Sequence, residues 1–324
     1  MKEISKVKAY LNESLETIIL EYNILKNIHN SFIANLYYAF QDRDNIFFLL
    51  DYLPGGNLRY YITNKTKFNE EQVRFIISNI ILSVEYIHKC NIIHRDLKPE
   101  NLLFDSKGYI HVTDFGISKL LEDGNIINDL SGTPGYISPE VIMNKPQNKT
   151  SDFFSIGIIT YELIFGERPF VGRDKNEIAE NMMKKIIKLD ENDLPKDFSG
   201  DAADFINGLL QKKSNHRLGS RGIDEIKNHL WMLDLDWTAI EYQNLDIKTI
   251  PFKPTFKEKE NQEIIEEYDD NTKINKYNII LEKINREHYF NNFYFNYNEI
   301  RKRKEKQFID NIDKYDESSD EDNK

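Results

Sequence analysis

His94-Arg95-Asp96-Leu97-Lys98-Pro99-Glu100-Asn101, followed thirteen residues later by Asp114-Phe115-Gly116, decides the reading of this chain. The run supplies a carboxylate able to take a proton (Asp96) and a cation two residues on (Lys98). It also supplies two hard oxygen ligands suited to Mg²⁺, Asn101 and Asp114. An extended loop sends alternate side chains to one side, so Asp96 and Lys98 project together. Phosphoryl transfer from ATP asks for this set, because its transition state spreads charge over equatorial oxygens and is served mainly by positioning and neutralisation.

Outward from that run, the pattern is helical on both sides. Val73, Ile76, Ile77, Ile80, Ile81, Val84 and Ile87 predict a buried helix over 70–90, and a second covers 152–165. Weaker helical spacing runs through 175–188, 201–211 and 223–230. Short strands flank Lys107-Gly108. Upstream, Leu11, Leu15, Ile18, Ile19, Tyr22 and Leu25 predict a helix over 12–28, and the apolar runs 36–40 and 46–53 predict a hairpin. Pro54-Gly55-Gly56 breaks the chain there. After Trp231 the sequence loosens into a charge-rich extension, and no internal repeat is evident.

Composition narrows the class. The 324 residues are 40% hydrophobic and 30% charged, enough for a two-lobed core plus an extension. Cys90 is the single cysteine, which excludes an internal disulfide and thiolate metal sites and points to a reducing, intracellular, cytoplasmic setting. Neither a signal sequence nor an apolar membrane span is present. Of the net charge of −11, residues 305–324 carry −5. The acidic balance argues against nucleic-acid binding and permits a basic peptide partner.

These motifs resemble a eukaryotic protein kinase of the AGC group, with matches across about 1–295. Lys98 and Gly132-Thr133-Pro134 resemble the serine/threonine kinases. Asn35-Leu36-Tyr37-Tyr38-Ala39-Phe40-Gln41-Asp42 and Gly56-Asn57-Leu58-Arg59-Tyr60 look most like the YANK branch. The resemblance implies an α+β, bilobal protein-kinase fold. It has an incomplete β-rich N-lobe at 1–53, a mainly helical C-lobe at 54–232, an AGC C-terminal extension at 233–300 and a charged, disordered tail at 301–324. It implies a monomer using ATP and Mg²⁺ to phosphorylate protein Ser/Thr hydroxyls.

Residue by residue, it implies Asp96, Lys98 and Thr133 as catalytic, with Asn101 and Asp114 on the metal. Leu50 would be the gatekeeper, Asp51 and Leu53 the adenine hinge, and Leu103 the floor beneath the ring. Leu25, Leu36, His94 and Phe115 match the stacked hydrophobic spine. Asp152 would brace the catalytic loop, and Glu140 of Ser138-Pro139-Glu140 would pair with Arg217. Glu100 and Glu162 match carboxylates that recognise a basic residue before the acceptor, which implies a moderate basic preference upstream, while Asn57 replaces another such glutamate. Leu130, Pro134 and Ile137 would line an apolar pocket after the acceptor. Asp129 stands where the family carries its activation-loop phosphate, near Arg95 and Lys119. Trp237 and Pro251-Phe252-Lys253-Pro254 resemble the start of the AGC tail. Phe290-Asn291-Asn292-Phe293-Tyr294-Phe295 resembles the hydrophobic motif that docks on the N-lobe.

The phosphate lysine and its helix glutamate fall on Lys2 and Glu21, nineteen residues apart as the family spacing requires. The Gly-rich loop and the first two strands are missing, with nearly all of the third. Lys2 is therefore expected to lack a strand that fixes it, and the hairpin to show an open edge. An internally assigned start is preferred over a genuinely shortened chain. An ATP-impaired scaffold is the alternative to an active enzyme. Arg301-Lys302-Arg303-Lys304 is open between a helix end, a nuclear signal and a lipid patch, and Ser318 and Ser319 between acceptor sites and an inert tail.

Overall fold

The computed structural model describes residues 1–121, 130–246, 248–256, 271–287, 289–290 and 293–301. In chain order the elements are β1 (Lys2–Ser5), α1 (Lys6–Leu11), α2 (Leu15–Leu25), β2 (Leu36–Gln41) and β3 (Asn45–Leu50). Next come α3 (Leu58–Thr63), α4 (Glu70–Lys89), β4 (Ile92–Ile93), β5 (Leu102–Phe104), β6 (Ile110–Val112) and β7 (Lys119–Leu120). Then follow α5 (Pro139–Ile142), α6 (Thr150–Phe165), α7 (Lys175–Lys184), α8 (Gly200–Leu209), α9 (Ile223–Lys227) and α10 (Trp237–Glu241). The last are α11 (Asn271–Arg286) and β8 (Phe295–Asn296). They group into two compact units. The first holds residues 1–27, 35–51 and the described residues from 271 onward; the second holds 28–34 and the described residues from 52 to 256.

The first unit is built on an antiparallel sheet in the order β1-β3-β2-β8. Ala39, Ile46 and Phe48 are fully buried on it. The expectation that Lys2 has no strand is corrected here, because β1 pairs with β3 in the register Lys2↔Phe48 and Ile4↔Ile46. Ser5 then caps α1 by accepting from Lys8 N–H, which converts strand to helix without a loop. The helix read over 12–28 is shorter in the structure, Leu15–Leu25, since Glu13 at φ 54 keeps its start from extending back toward α1. At the other edge, the hairpin is closed by β8, which pairs Tyr38↔Asn296 and Ala39↔Phe295. Phe290, Phe293 and Phe295 are buried there, and the Phe293 ring lies 4.3 Å from Tyr22 and 5.6 Å from Phe48. Tyr22 Oη donates to Tyr294 O at 3.0 Å, while the Tyr294 ring stays exposed. Leu281 and Ile284 bury one side of α11, a helix that the reading of the sequence did not assign.

The second unit packs around α4, α6 and α8. Asn69 and Gln72 form a reciprocal capping box at the start of α4, with Glu70 and Glu71 in its first turn and His88 and Lys89 in its last, matching the helix dipole. Gly166 ends α6 in the left-handed conformation. Buried Asn79 on α4 accepts from Ile110 N–H at 3.0 Å, tying the β5–β6 hairpin to that helix. Phe32, Phe75, Leu82, Tyr109, Ile240 and Ile250 form a core cluster. Phe252 is buried against Tyr61 and Phe104, with ring centroids 5.1 and 4.7 Å away.

Gly108, in the turn between β5 and β6, sits at φ 109, and a Cβ there would lie 2.1 Å from the Phe252 carbonyl oxygen. Gly108→Ala is expected to cost about 1–3 kcal/mol from the backbone conformation alone, read as a lowered melting temperature. A melting temperature unchanged to within about 1 °C would contradict this account.

Candidate active site

The second unit carries the His94–Asn101 run on a loop after β4. Asp152, fully buried in the first turn of α6, organises that loop. Its carboxylate accepts from His94 N–H at 3.0 Å and Arg95 N–H at 2.9 Å, and lies 2.7 Å from His88 Nε2. Burial alone would raise the Asp152 pKa, but the hydrogen bond and electrostatic contact with His88, the neighbouring His94 imidazole and the Arg95 backbone N–H hold it below the usual value. Those bonds also hold Arg95 in the left-handed region at φ 72, a conformation that a non-glycine residue keeps only when its surroundings insist. Burial pushes the His94 pKa down, so the ring is neutral. Its Nδ1 accepts from Asp96 N–H at 3.3 Å, which leaves Nε2–H to donate to Thr113 O at 3.1 Å. The His94 and Phe115 rings sit 5.0 Å apart.

Asp96 sits at the centre of a closed set of bonds. Its Oδ1 accepts from Thr133 N–H at 3.0 Å and Thr133 Oγ1 at 2.7 Å. Its Oδ2 accepts from Lys98 Nζ at 2.7 Å and Asn101 Nδ2 at 3.2 Å. Lys98 Nζ donates also to Thr133 Oγ1 at 2.8 Å. Because Asn101 Nδ2 is committed to Asp96, its Oδ1 is the amide atom that would be left to ligate a cation. Thr113 N–H donates to Asn101 O at 2.9 Å, bringing the segment of Asp114 alongside. Asp114 is exposed at φ 64, and its Oδ1 accepts from Gly116 N–H at 3.3 Å. Among the described residues no three His, Cys, Asp or Glu side chains cluster as a metal cage. That donor set fits Mg²⁺, which is commonly held by one or two protein oxygens together with substrate phosphates.

In the first unit, Lys2 Nζ donates to both oxygens of Glu21, at 2.9 and 2.8 Å. Lys2 comes from β1 and Glu21 from the buried side of α2. Leu50 ends β3 half-buried. The next residue, Asp51, accepts from Asn35 N–H at 2.9 Å, Asn35 Nδ2 at 2.8 Å and Tyr37 Oη at 2.9 Å. Burial, with the Asp51 carboxylate beside it, pushes the Tyr37 phenol up to about 12.

A second charged cluster lies in the helical unit. Arg59 Nε donates to Glu100 Oε1 at 2.8 Å and Nη1 to Glu162 Oε1 at 2.8 Å. Nη2 reaches Glu162 Oε2 at 3.3 Å and also the Tyr136 hydroxyl. Tyr136 Oη donates to Glu162 Oε2 at 2.5 Å. Burial by itself would lower the guanidinium pKa, but the two carboxylates raise it overall.

The family described as "Protein kinase domain" matches residues 1–232. The chain belongs to the protein kinase family. A probable serine/threonine-protein kinase of Dictyostelium discoideum is 38% identical over 258 residues, 79% of this chain and 55% of that protein. Serine/threonine-protein kinase Sgk1 of Danio rerio is 37% identical over 256 residues, 78% of this chain and 57% of its own length. The cAMP-dependent protein kinase catalytic subunit of Dictyostelium discoideum is 36% identical over 272 residues, 83% of this chain and 40% of its own length. The last two are of the AGC group. The chain spans about half the length of the curated relatives it matches.

Among the residues singled out in sequence, three groups are joined by hydrogen bonds or ion pairs. Asp96, Lys98, Asn101 and Thr133 are joined directly, and Lys2 and Glu21 form one ion pair. Glu100 and Glu162 meet through Arg59. Leu53 and Leu103 are half-buried, and Leu103 bridges to Asn57. Pro134 and Ile137 are half-buried, whereas Leu130 is exposed. Asp129 lies outside the described residues, as do Asn291, Asn292 and the tail beyond Arg301. Sequence reasoning missed Arg59 and Tyr136 as members of the site. A guanidinium 41 and 103 residues from its carboxylates leaves no local pattern to find.

Proposed function

We propose that this chain is a serine/threonine protein kinase, transferring the γ-phosphate of ATP to Ser or Thr hydroxyls of protein substrates. The closed Asp96–Lys98–Asn101–Thr133 set carries this reading. A substrate hydroxyl donates to the Asp96 carboxylate as its oxygen bonds to the γ-phosphorus, the bond to the ADP oxygen breaks, and the proton passes to Asp96. Lys98 neutralises charge on the transferred group. Asn101 and Asp114 would hold Mg²⁺, which supplies neutralisation of the phosphate oxygens when bound. Lys2, oriented by Glu21, contacts the α- and β-phosphates, and Leu50, Asp51, Leu53 and Leu103 receive the adenine. Glu100 and Glu162 face the acceptor peptide before the hydroxyl, and Leu130, Pro134 and Ile137 face it after. The group reading sharpens to the YANK branch on the residue runs quoted above, and the chain acts as a cytoplasmic monomer. Among the described residues no helix is long and apolar enough to cross a membrane.

The test is radiolabelled phosphate transfer from γ-labelled ATP, with magnesium, onto a library of Ser- and Thr-containing peptides. Label is expected on hydroxyl residues of the peptides. Lys2→Met is expected to raise the KM for ATP about tenfold, the loss of one charge-assisted contact. A chain that transfers no label, while remaining folded, would act as a scaffold instead.

A further inference from the structure

The fork of Arg59 between Glu100 and Glu162 is built from the chain itself. Asn57 caps α3 by accepting from Tyr60 N–H, which fixes Arg59 in the first turn of that helix. A cation at a helix N-terminus opposes the dipole, so local preference does not place it there. What holds it is the pair of carboxylates: its side chain keeps 26% of its exposure, while that of Glu162 keeps 4%. Each Arg59 nitrogen has a hydrogen-bond partner, and Tyr136 closes the far side of Glu162.

We propose that Arg59 is a specificity-determining residue that occupies the acidic subsite in place of a substrate cation, so that this kinase takes acceptor peptides without requiring basic residues upstream. The inference rests on the kinase reading above and deepens it, by naming the class of peptide the site accepts. A substrate arginine gains the two carboxylates only by displacing a guanidinium already bonded to both. The exchange returns one set of charge-assisted bonds for another and leaves Arg59 to find new partners. Tethering decides the competition, because an intramolecular group acts at an effective concentration of roughly millimolar or more against peptides present at micromolar levels. The moderate basic preference that the acidity of Glu100 and Glu162 suggests is thereby cancelled at its source.

The experiment uses two peptides that differ only in arginine or alanine at the positions two and three residues before the acceptor serine. For the wild-type chain the ratio of kcat/KM, arginine peptide over alanine peptide, is expected to stay within about threefold. For Arg59→Ala the ratio is expected to rise about tenfold to a hundredfold, the range of hydrogen bonds to a freed carboxylate. Arg59→Lys keeps the charge but loses the fork, and an intermediate ratio is expected. Because each ratio is taken within one variant, a smaller folded fraction cancels. Fluorescence-anisotropy titration of the same labelled peptides reads the preference without catalysis. A wild-type chain that already selects the arginine peptide more than about tenfold, or an Arg59→Ala variant whose ratio does not move in either assay, overturns the proposal. Absence of transfer by any variant, with the binding ratio shifting as stated, would overturn the kinase reading and leave the Arg59 subsite standing.

Discussion

Asp96→Asn is expected to lower peptide phosphorylation by about 10²- to 10⁴-fold in kcat, the usual contribution of a positioned acid–base group. The substitution keeps size and removes charge. Asp96 accepts four hydrogen bonds, two on each oxygen. An amide can serve the Thr133 pair or the Lys98–Asn101 pair, since its NH₂ end presents donors to donors. The variant therefore loses the proton acceptor and slackens Lys98 together. The fold is held elsewhere, by Asp152 beneath the loop, so the melting temperature and the affinity for ATP should hold near wild type. Initial-rate kinetics beside nucleotide titration separates these effects. A kcat within about tenfold of wild type would remove Asp96 from the role of base.

The second large effect is on stability. Arg217→Ala is expected to destabilise the fold by about 3–5 kcal/mol, because it leaves a buried carboxylate without its partner. Arg217 has no exposure, and its Nη1 and Nη2 reach the two oxygens of Glu140 at 2.7 and 2.8 Å. Nη1 also donates to Thr150 O at 2.8 Å and Nε to Gln211 O at 3.1 Å. The loss corresponds to a fall of roughly 10 °C in melting temperature for a unit of this size. The double variant Glu140→Leu with Arg217→Met should recover much of it, since an apolar pair leaves no charge stranded. Burial alone would raise the Glu140 pKa, but Arg217 brings it below the ordinary value of 4.5. The folded pKa is depressed, so the pair's stabilisation is present above about pH 4.5 and is lost as pH falls through the folded value. The gap in melting temperature between wild type and Arg217→Ala should narrow on acidification. A gap that widens there would contradict the pairing as the source.

How much of this was legible in sequence depended on whether chemistry and spacing coincided. The catalytic loop was legible because Asp96, Lys98 and Asn101 are neighbours in chain and in space. Glu140–Arg217 and Lys2–Glu21 were legible through the family register, and each is a direct ion pair. The buried helices α4 and α6 announced themselves by apolar density alone. Four features stayed hidden. β1 is four residues long and half exposed, too short for periodicity to register. α11 depends on packing against α1, and β8 on pairing with β2, partners that lie far away in the chain. Arg59 entered only as part of the run Gly56–Tyr60, because what defines it are two carboxylates brought up by other elements.

β8 carries one more consequence, and it concerns time. Tyr22 meets Tyr294 across 272 residues of chain, and Tyr38 meets Asn298 across 260. At a synthesis rate of about 5–20 residues per second, roughly 15 to 50 s pass between the emergence of β2 and the arrival of the strand that closes it. Throughout that interval the nascent sheet shows a bare pairing edge and an aromatic face awaiting Phe293, while every element of the second unit is made. The order of translation thus leaves a sheet begun before the helices of the second unit to be finished only after them, and makes its open edge the point at which a chaperone would do most for the yield of folded protein.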